Sequence, residues 1–148
     1  MTEIQIGRIG ETYVLYKLAT MMIYAMKVSE HFDFDLLTVK GTRIEVKTAR
    51  KGIGIRKYKN HTNKWDVWSF NNAKIFSVQR EDKSVYRKYK KVDRRCDFFV
   101  CVCLNDDYTI KESYIVPKEA VGTKTSISIG MTKRGKHKKW LERWDLIK

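Results

Sequence analysis

The sequence is poor in proline and glycine and has no long apolar run. One proline and eight glycines among 148 residues leave no collagen-like or linker-like stretch. No apolar run is long enough to cross a bilayer. The first residues, Met1, Thr2 and Glu3, lack the basic start of a signal peptide. We therefore expect a cytoplasmic, intracellular protein that does not enter a membrane.

Cysteine is also scarce. An odd number of thiols, at Cys96, Cys101 and Cys103, argues against a disulfide framework in a protein of this kind. The chain has no CxxC or HxxxH pair with the spacing that binds zinc. Because the surrounding run is apolar and aromatic, we predict that the three thiols are buried in the core.

Positive charge, in contrast, is abundant. The chain has 31 Lys and Arg against 17 Asp and Glu, a net charge of +14. Residues 1–49 hold six of each sign, so the whole surplus follows residue 49. A surplus of this size indicates a polyanionic partner, and nucleic acid fits best. With 43% hydrophobic residues, the chain is expected to form a single domain over residues 1–148.

Hydrophobic periodicity predicts an α/β domain with a mixed central sheet. Apolar residues at three-to-four spacing predict a helix over about 5–28, with a break near residue 24. Alternating patterns predict strands at about 32–39 and 43–50, joined in a hairpin by a turn at Gly41. Residues 51–64 are interpreted as a loop. The other predicted elements are strands at 65–71, 97–104 (central), 114–117 and 124–130, and helices at 83–92 and 137–148.

The predicted hairpin carries residues that suit phosphodiester hydrolysis. Side chains alternate along a strand, so Glu45 and Lys47 share one face, and Asp33 and Asp35 share a face of the preceding strand. Carboxylate oxygens bind Mg²⁺, and the cation stabilises charge on the phosphate and lowers the pKa of a bound water. A nearby lysine orients that water. The Val46 carbonyl is a natural additional ligand.

A less specific interpretation competes with this one. Most Glu-x-Lys triplets are solvated ion pairs on a strand, worth under about 1 kcal/mol. A non-catalytic, basic DNA-binding protein would need only the charge and the fold. We favour catalysis because unpaired carboxylates repel phosphates, so a pure binder has no use for Asp35 and Glu45 on one side.

Three segments, Gly7–Glu11, Phe34–Leu37 and Ile44–Thr48, resemble the PD-(D/E)xK nuclease superfamily. Residues 97–100 and 114–117 look like later core strands of small homing endonucleases of the group I intron type. The resemblance implies a restriction-endonuclease-like αβββαβ core with extra C-terminal strands, and metal-dependent hydrolysis of DNA.

The resemblance also implies roles for individual residues. Carried over by position, the catalytic residues are Glu11, Asp35, Glu45 and Lys47, and the ligands of Mg²⁺ or Mn²⁺ are Asp35, Glu45 and the Val46 carbonyl. Asp35 is preferred to Asp33 because the acid directly before Leu36 and Leu37 matches the family pattern. Phe34 stands where many members have proline, a departure that leaves the chemistry untouched.

Basic clusters after residue 49 are expected to contact DNA phosphates. The predicted DNA-binding residues are Arg50, Lys51, Arg56, Lys57, Lys59, Arg87, Lys88, Lys90 and Lys91. A third cluster at 133–139 is either another contact or a solvated tail. The leading hypothesis is a site-specific, homing or restriction-like endonuclease of double-stranded DNA, and the alternative is a Holliday junction resolvase that cuts branched DNA. Either enzyme is expected to be a homodimer or homotetramer, so that two strands are cut.

Overall fold

The computed structural model describes residues 1–71, 74–79, 81–82, 85–90, 95–122, 124, 126–130 and 135–148, with the backbone alone for 74–79 and 85–90. The fold begins with helix α1 (Glu3–Thr20). Thr2 caps its start: the Gln5 amide donates to Thr2 Oγ1 at 3.3 Å, and the Thr2 amide donates to Gln5 Oε1 at 2.8 Å. This reciprocal arrangement satisfies two amides at the helix start. Within the described residues, no helix is both long and apolar enough to span a membrane.

A five-stranded mixed sheet forms the centre of the molecule. Its strands are β1 (Ala25–Lys27), β2 (Leu36–Thr38), β3 (Arg43–Arg50), β8 (Phe98–Leu104) and β9 (Ile110–Pro117), in the order β1-β2-β3-β8-β9. Strands β3 and β8 are parallel, and the other neighbours are antiparallel. The predicted strand at 43–50, the interior position of the 97–104 strand and the mixed α/β class are therefore confirmed.

The remaining strands form two smaller sheets. One has the order β10-β5-β4, built from β4 (Gly52–Lys57), β5 (Thr62–Asn71) and β10 (Ser126–Gly130). The other pairs β6 (Lys74–Gln79) with β7 (Val85–Lys90). A short helix α2 (Lys118–Val121) and two 3-10 turns, Lys138–Trp140 and Trp144–Leu146, complete the described elements.

Hydrophobic side chains cover both faces of the central sheet. On one face, Val14 and Leu18 of α1 pack with Ile44, Val46 and Val100. On the other face, side chains of the β10-β5-β4 sheet pack against β8 and β9 in a second cluster that includes Trp68, Phe70, Ile127, Cys101 and Cys103. The three cysteines are buried free thiols, as predicted. The strand alternation of β3 therefore directs Glu45 and Lys47 away from α1.

Several local predictions were wrong. The first helix ends at Thr20 rather than near 28, because Met22 takes a left-handed φ of 60° and residues 25–27 pair with β2. Residues 85–90 of the predicted helix at 83–92 form a strand. The supposed loop at 51–64 holds β4 and the start of β5. The predicted helix at 137–148 is replaced by two 3-10 turns, since Leu141 is extended and bridges Tyr114.

Candidate active site

Asp35 lies at the point where β2 begins beside β3. Its amide donates to the Ile44 carbonyl at 2.9 Å, and the Val28 amide donates to its carbonyl at 2.9 Å. Its carboxylate Oδ2 accepts a hydrogen bond from the Val46 amide at 2.7 Å. The N–H and C=O of one strand residue point to the same edge, so the Val46 carbonyl faces the edge at which the Asp35 carboxylate lies.

One cavity collects the residues predicted to be catalytic. It has a volume of about 450 Å³ and is lined by Glu11 from α1, Asp35 from the segment before β2, and Glu45 and Lys47 from β3. Asn71, Cys96 and Phe99 lie in the same lining. The four predicted catalytic side chains, which come from three separate segments of the chain, therefore converge on one space beside the central sheet.

Two lysine–glutamate pairs flank this cavity. Lys47 Nζ lies 2.6 Å from Glu45 Oε1, and both side chains are largely shielded, with 27% and 19% exposure. Lys27 Nζ lies 2.5 Å from Glu11 Oε2. Each glutamate is therefore held in place by an ammonium group, and the two ammonium groups enter the cavity from different strands, β3 and β1.

The environment of Asp35 disfavours its ionised form. Burial, and then repulsion by Glu45, raise the pKa of Asp35 from 3.8 to about 6, and Glu11 adds to the repulsion. The Val46 amide and the Lys47 ammonium act in the opposite direction. A carboxyl group whose pKa is raised by burial and by neighbouring carboxylates is typical of sites that accept a cation or a proton.

The donor atoms of the cavity fit a hard cation. Among the described residues, no three histidine, cysteine or acidic side chains converge closely enough to form a ready-made metal cluster. The Asp35 and Glu45 carboxylates line the cavity, and the Val46 carbonyl faces the edge of β3 at which Asp35 lies. These oxygens are of the donor type that Mg²⁺ and Mn²⁺ prefer. Cys96 lines the cavity too, and burial raises the pKa of its thiol to about 12, so the thiol is protonated at neutral pH.

Asp33 occupies a different position from the one expected. It was predicted to share a strand face with Asp35, but both residues precede β2, which begins at Leu36. Asp33 lines the cavity, and its Oδ2 lies 3.8 Å from Arg95 Nε. The Asp35 carboxylate accepts a hydrogen bond from the Val46 amide of β3 and is close enough to Glu45 for the two to repel each other, so Asp35 remains our candidate to act with Glu45.

Sequence reasoning missed several residues of the cavity, among them Lys27 and Asn71. Lys27 was placed near the end of the helix predicted over about 5–28, and no local signal connects it with Glu11, because the contact depends on the pairing of β1 with β2. Asn71 was placed only as the end of a strand, and it reaches the cavity because β5 packs on the central sheet. In both cases the topology and packing of the sheets bring the residue to the cavity.

The predicted DNA-binding residues are partly described. Lys51 Nζ lies 2.8 Å from Asp106 and 3.9 Å from Asp66, and Arg50 is 3.8 Å from Asp106. Arg56, Lys57 and Lys59 are exposed on β4 and the turn that follows it. The side chains of Arg87, Lys88 and Lys90, and the whole of Lys91, lie outside the described residues.

Comparison with known proteins supports the fold. No family model and no curated protein matches the chain. A solved structure of a bacterial homing endonuclease, I-Ssp6803I, aligns with a TM-score of 0.65 over 99% of this chain and 93% of that one, at 15% sequence identity. At this identity the likeness shows the fold alone: the chain shares the fold of a homing endonuclease over essentially its whole length.

Proposed function

We propose that the protein is a metal-dependent DNA endonuclease of the PD-(D/E)xK type. The proposal depends on one observation: Asp35, Glu45 and Lys47 converge on one cavity, and the Asp35 carboxylate accepts a hydrogen bond from the Val46 amide. The likeness to a structure described as a homing endonuclease and the net charge of +14 support DNA as the substrate.

The residues of the cavity divide the chemistry between them. Asp35, Glu45 and the Val46 carbonyl would hold Mg²⁺ or Mn²⁺, which supplies Lewis acidity and a lower pKa for bound water. Asp35 must be ionised to act as a ligand. Because its pKa is about 6, the carboxyl group is mostly ionised above that pH. Lys47, already 2.6 Å from Glu45, is next to the expected position of the attacking water and the phosphate.

Glu11 lines the same cavity from α1. Its carboxylate contributes to the repulsion that raises the pKa of Asp35, so it increases the negative potential that attracts a cation. Lys27 holds this carboxylate in the cavity. Glu11 therefore supports the Asp35–Glu45 pair by its charge.

The substrate is double-stranded DNA cut at specific sites, by a homodimer or homotetramer so that both strands are cleaved. Incubating the protein with supercoiled plasmid, linear duplex and a four-way junction in Mg²⁺ tests this assignment. Double-strand cleavage of duplex DNA is expected. Symmetric cutting confined to the junction would indicate a Holliday junction resolvase instead.

Two pairs of variants test the roles of the acid and the lysine. Glu45→Gln and Lys47→Met are expected to lower the cleavage rate by about 100-fold or more, the usual contribution of such groups, while DNA binding in Ca²⁺ is retained. The matched controls, Glu119→Gln and Lys40→Met, remove the same charges at exposed positions away from the cavity. Cleavage that continues in EDTA, or that is unaffected in Glu45→Gln, contradicts the proposal.

A further inference from the structure

The outer face of the β10-β5-β4 sheet leads directly to the catalytic cavity. Opposite residues of antiparallel strands share a face, and in β5 the residues on this face are Asn63, Trp65, Val67, Ser69 and Asn71. The alternate residues Trp68 and Phe70 are buried against the central sheet. Asn71, at one end of the row, lines the catalytic cavity, and Asn63 and Trp65, near the other end, line a second groove of about 990 Å³.

The neighbouring strands extend this face with small side chains. Gly54 pairs with Trp65, Ser128 pairs with Ser69, and Ser126 pairs with Asn71. A Cβ at Gly54 would overlap the Trp65 ring, so the glycine allows the indole to lie flat across the sheet instead of forming a ridge. The space beside Gly54 is therefore filled by the indole.

The charge of this face suits a polyanion. No Asp or Glu occurs at the described positions of β4, β5 and β10 that share it. Arg56, Lys136 and Lys138 line the second groove, which lies at the end of this face away from the catalytic cavity. Glu112 is the acidic residue in the described lining of that groove, and its carboxylate accepts a hydrogen bond from Tyr114 Oη at 2.8 Å. The opposite face of the same strands carries one acid, Asp66, with Lys57 and Lys64, and it exposes the apolar side chains of Ile53 and Ile55.

We propose that this outer face is the surface on which duplex DNA lies, with β5 running along the duplex towards the scissile phosphate. The inference rests on the proposed endonuclease function. From Trp65 to Asn71 the strand rises about 20 Å at roughly 3.3 Å per residue, the length of about six base pairs at roughly 3.4 Å per step. The groove with Arg56, Lys136 and Lys138 therefore contacts phosphates about six base pairs from the cut.

The polar side chains along the outer face of the β10-β5-β4 sheet contact the duplex in two ways. Asn63 presents an amide group that pairs with the edge of adenine, and the hydroxyl groups of Ser69 and Ser128 donate to phosphates or base edges. Trp65 is 37% exposed, and its ring contacts sugar or base. The row thus combines contacts that position the duplex with contacts that read its sequence.

Tethered cleavage of DNA tests which face binds. The native cysteines are buried, so one new exposed thiol is labelled selectively with an iron–EDTA reagent. Ser69→Cys places the iron on the proposed face, and Ile53→Cys places it on the opposite face of the same sheet. Both are made in the Glu45→Gln background, so that the enzyme itself leaves the DNA intact. The probe is an end-labelled duplex of random sequence in Ca²⁺.

Strand scission by iron at Ser69→Cys, with only background scission from Ile53→Cys, is the expected result. Equal scission from both positions, or scission only from Ile53→Cys, overturns the proposal. Ser128→Cys, on the same face in a different strand, replaces Ser69→Cys if that variant fails to fold. The readout needs binding but no catalysis. A failure of the nuclease assignment therefore appears as a lack of Mg²⁺-dependent cleavage, whereas a failure of this inference appears as scission from the wrong face.

Discussion

Replacing Asp35 by asparagine is expected to make the folded protein more stable at neutral pH. The pKa of about 6, against an ordinary value of 3.8, corresponds to a cost of about 3 kcal/mol for the ionised carboxylate at 1.36 kcal/mol per pH unit. Because the titrations of Asp35 and Glu45 are coupled, we expect Asp35→Asn to raise the free energy of unfolding by about 1–3 kcal/mol. Asparagine is neutral and has the same shape, and its Oδ1 still accepts the hydrogen bond from the Val46 amide.

The pH dependence follows from the direction of this pKa change. Because the folded-state pKa is above the unfolded value, the folded protein binds more protons than the unfolded chain between about pH 4 and pH 6. The wild-type free energy of unfolding therefore falls as pH rises through this window. The advantage of Asp35→Asn should be small near pH 4 and complete above about pH 7.

Urea unfolding at about pH 4 and about pH 7.5 measures the difference. At the higher pH, the gain should raise the melting temperature by about 2–4 °C per kcal/mol for a domain of this size. Asp33→Asn is the matched control and should give no such gain, because its carboxylate faces Arg95. An Asp35→Asn protein that is no more stable at pH 7.5, or whose gain is equal at both pH values, refutes the reasoning.

The same variant separates stability from metal binding. Mg²⁺ at ten times its dissociation constant should stabilise the wild-type protein by about 1.4 kcal/mol. Asp35→Asn has lost a negatively charged ligand and should gain much less, and it should not cleave DNA. Such an exchange of stability for activity is typical of functional sites. Equal stabilisation of both proteins by Mg²⁺ would show that the cation binds elsewhere.

Three other predictions follow from the packing and charge of the described residues. A Cβ at Gly10 would overlap Thr48 Oγ1, so Gly10→Ala should destabilise the fold by about 1–3 kcal/mol. Gly7→Ala, where a Cβ would meet no described heavy atom within 4 Å, should stabilise it by about 0.5–1 kcal/mol; urea unfolding of both variants decides. Arg56→Ala should reduce the slope of log affinity against log salt by about 0.9, the loss of one phosphate contact, whereas Lys40→Ala should not, as measured by DNA titrations at several salt concentrations. The three thiols are buried and should react with a thiol reagent only as fast as the protein unfolds.

The local sequence pattern determined the parts of the site that lie on one strand. Alternation in Arg43–Arg50 correctly predicted that Glu45 and Lys47 share one face, and Ile44 and Val46 on the other face lie in the core. The apolar run of β8 correctly predicted buried thiols in an interior strand. In both cases the periodicity of side chains reports burial directly, because each face of a strand has one environment.

Local patterns failed where a segment becomes a strand only by pairing with another segment. Residues 25–27 continue a helical pattern, yet they pair with β2, and residues 85–90 form a strand with 74–79. Intrinsic preferences are weak compared with tertiary contacts, which override them. A single sequence does not show which segments pair.

The charge surplus after residue 49 and the Glu45–Val46–Lys47 triplet can be read from the sequence alone, because they need only composition and strand alternation. The tertiary structure decided that Glu11, Lys27 and Asn71 meet at the same cavity, because their approach depends on how α1, β1 and β5 pack on the central sheet. Packing of this kind joins residues far apart in sequence, and no local pattern records it.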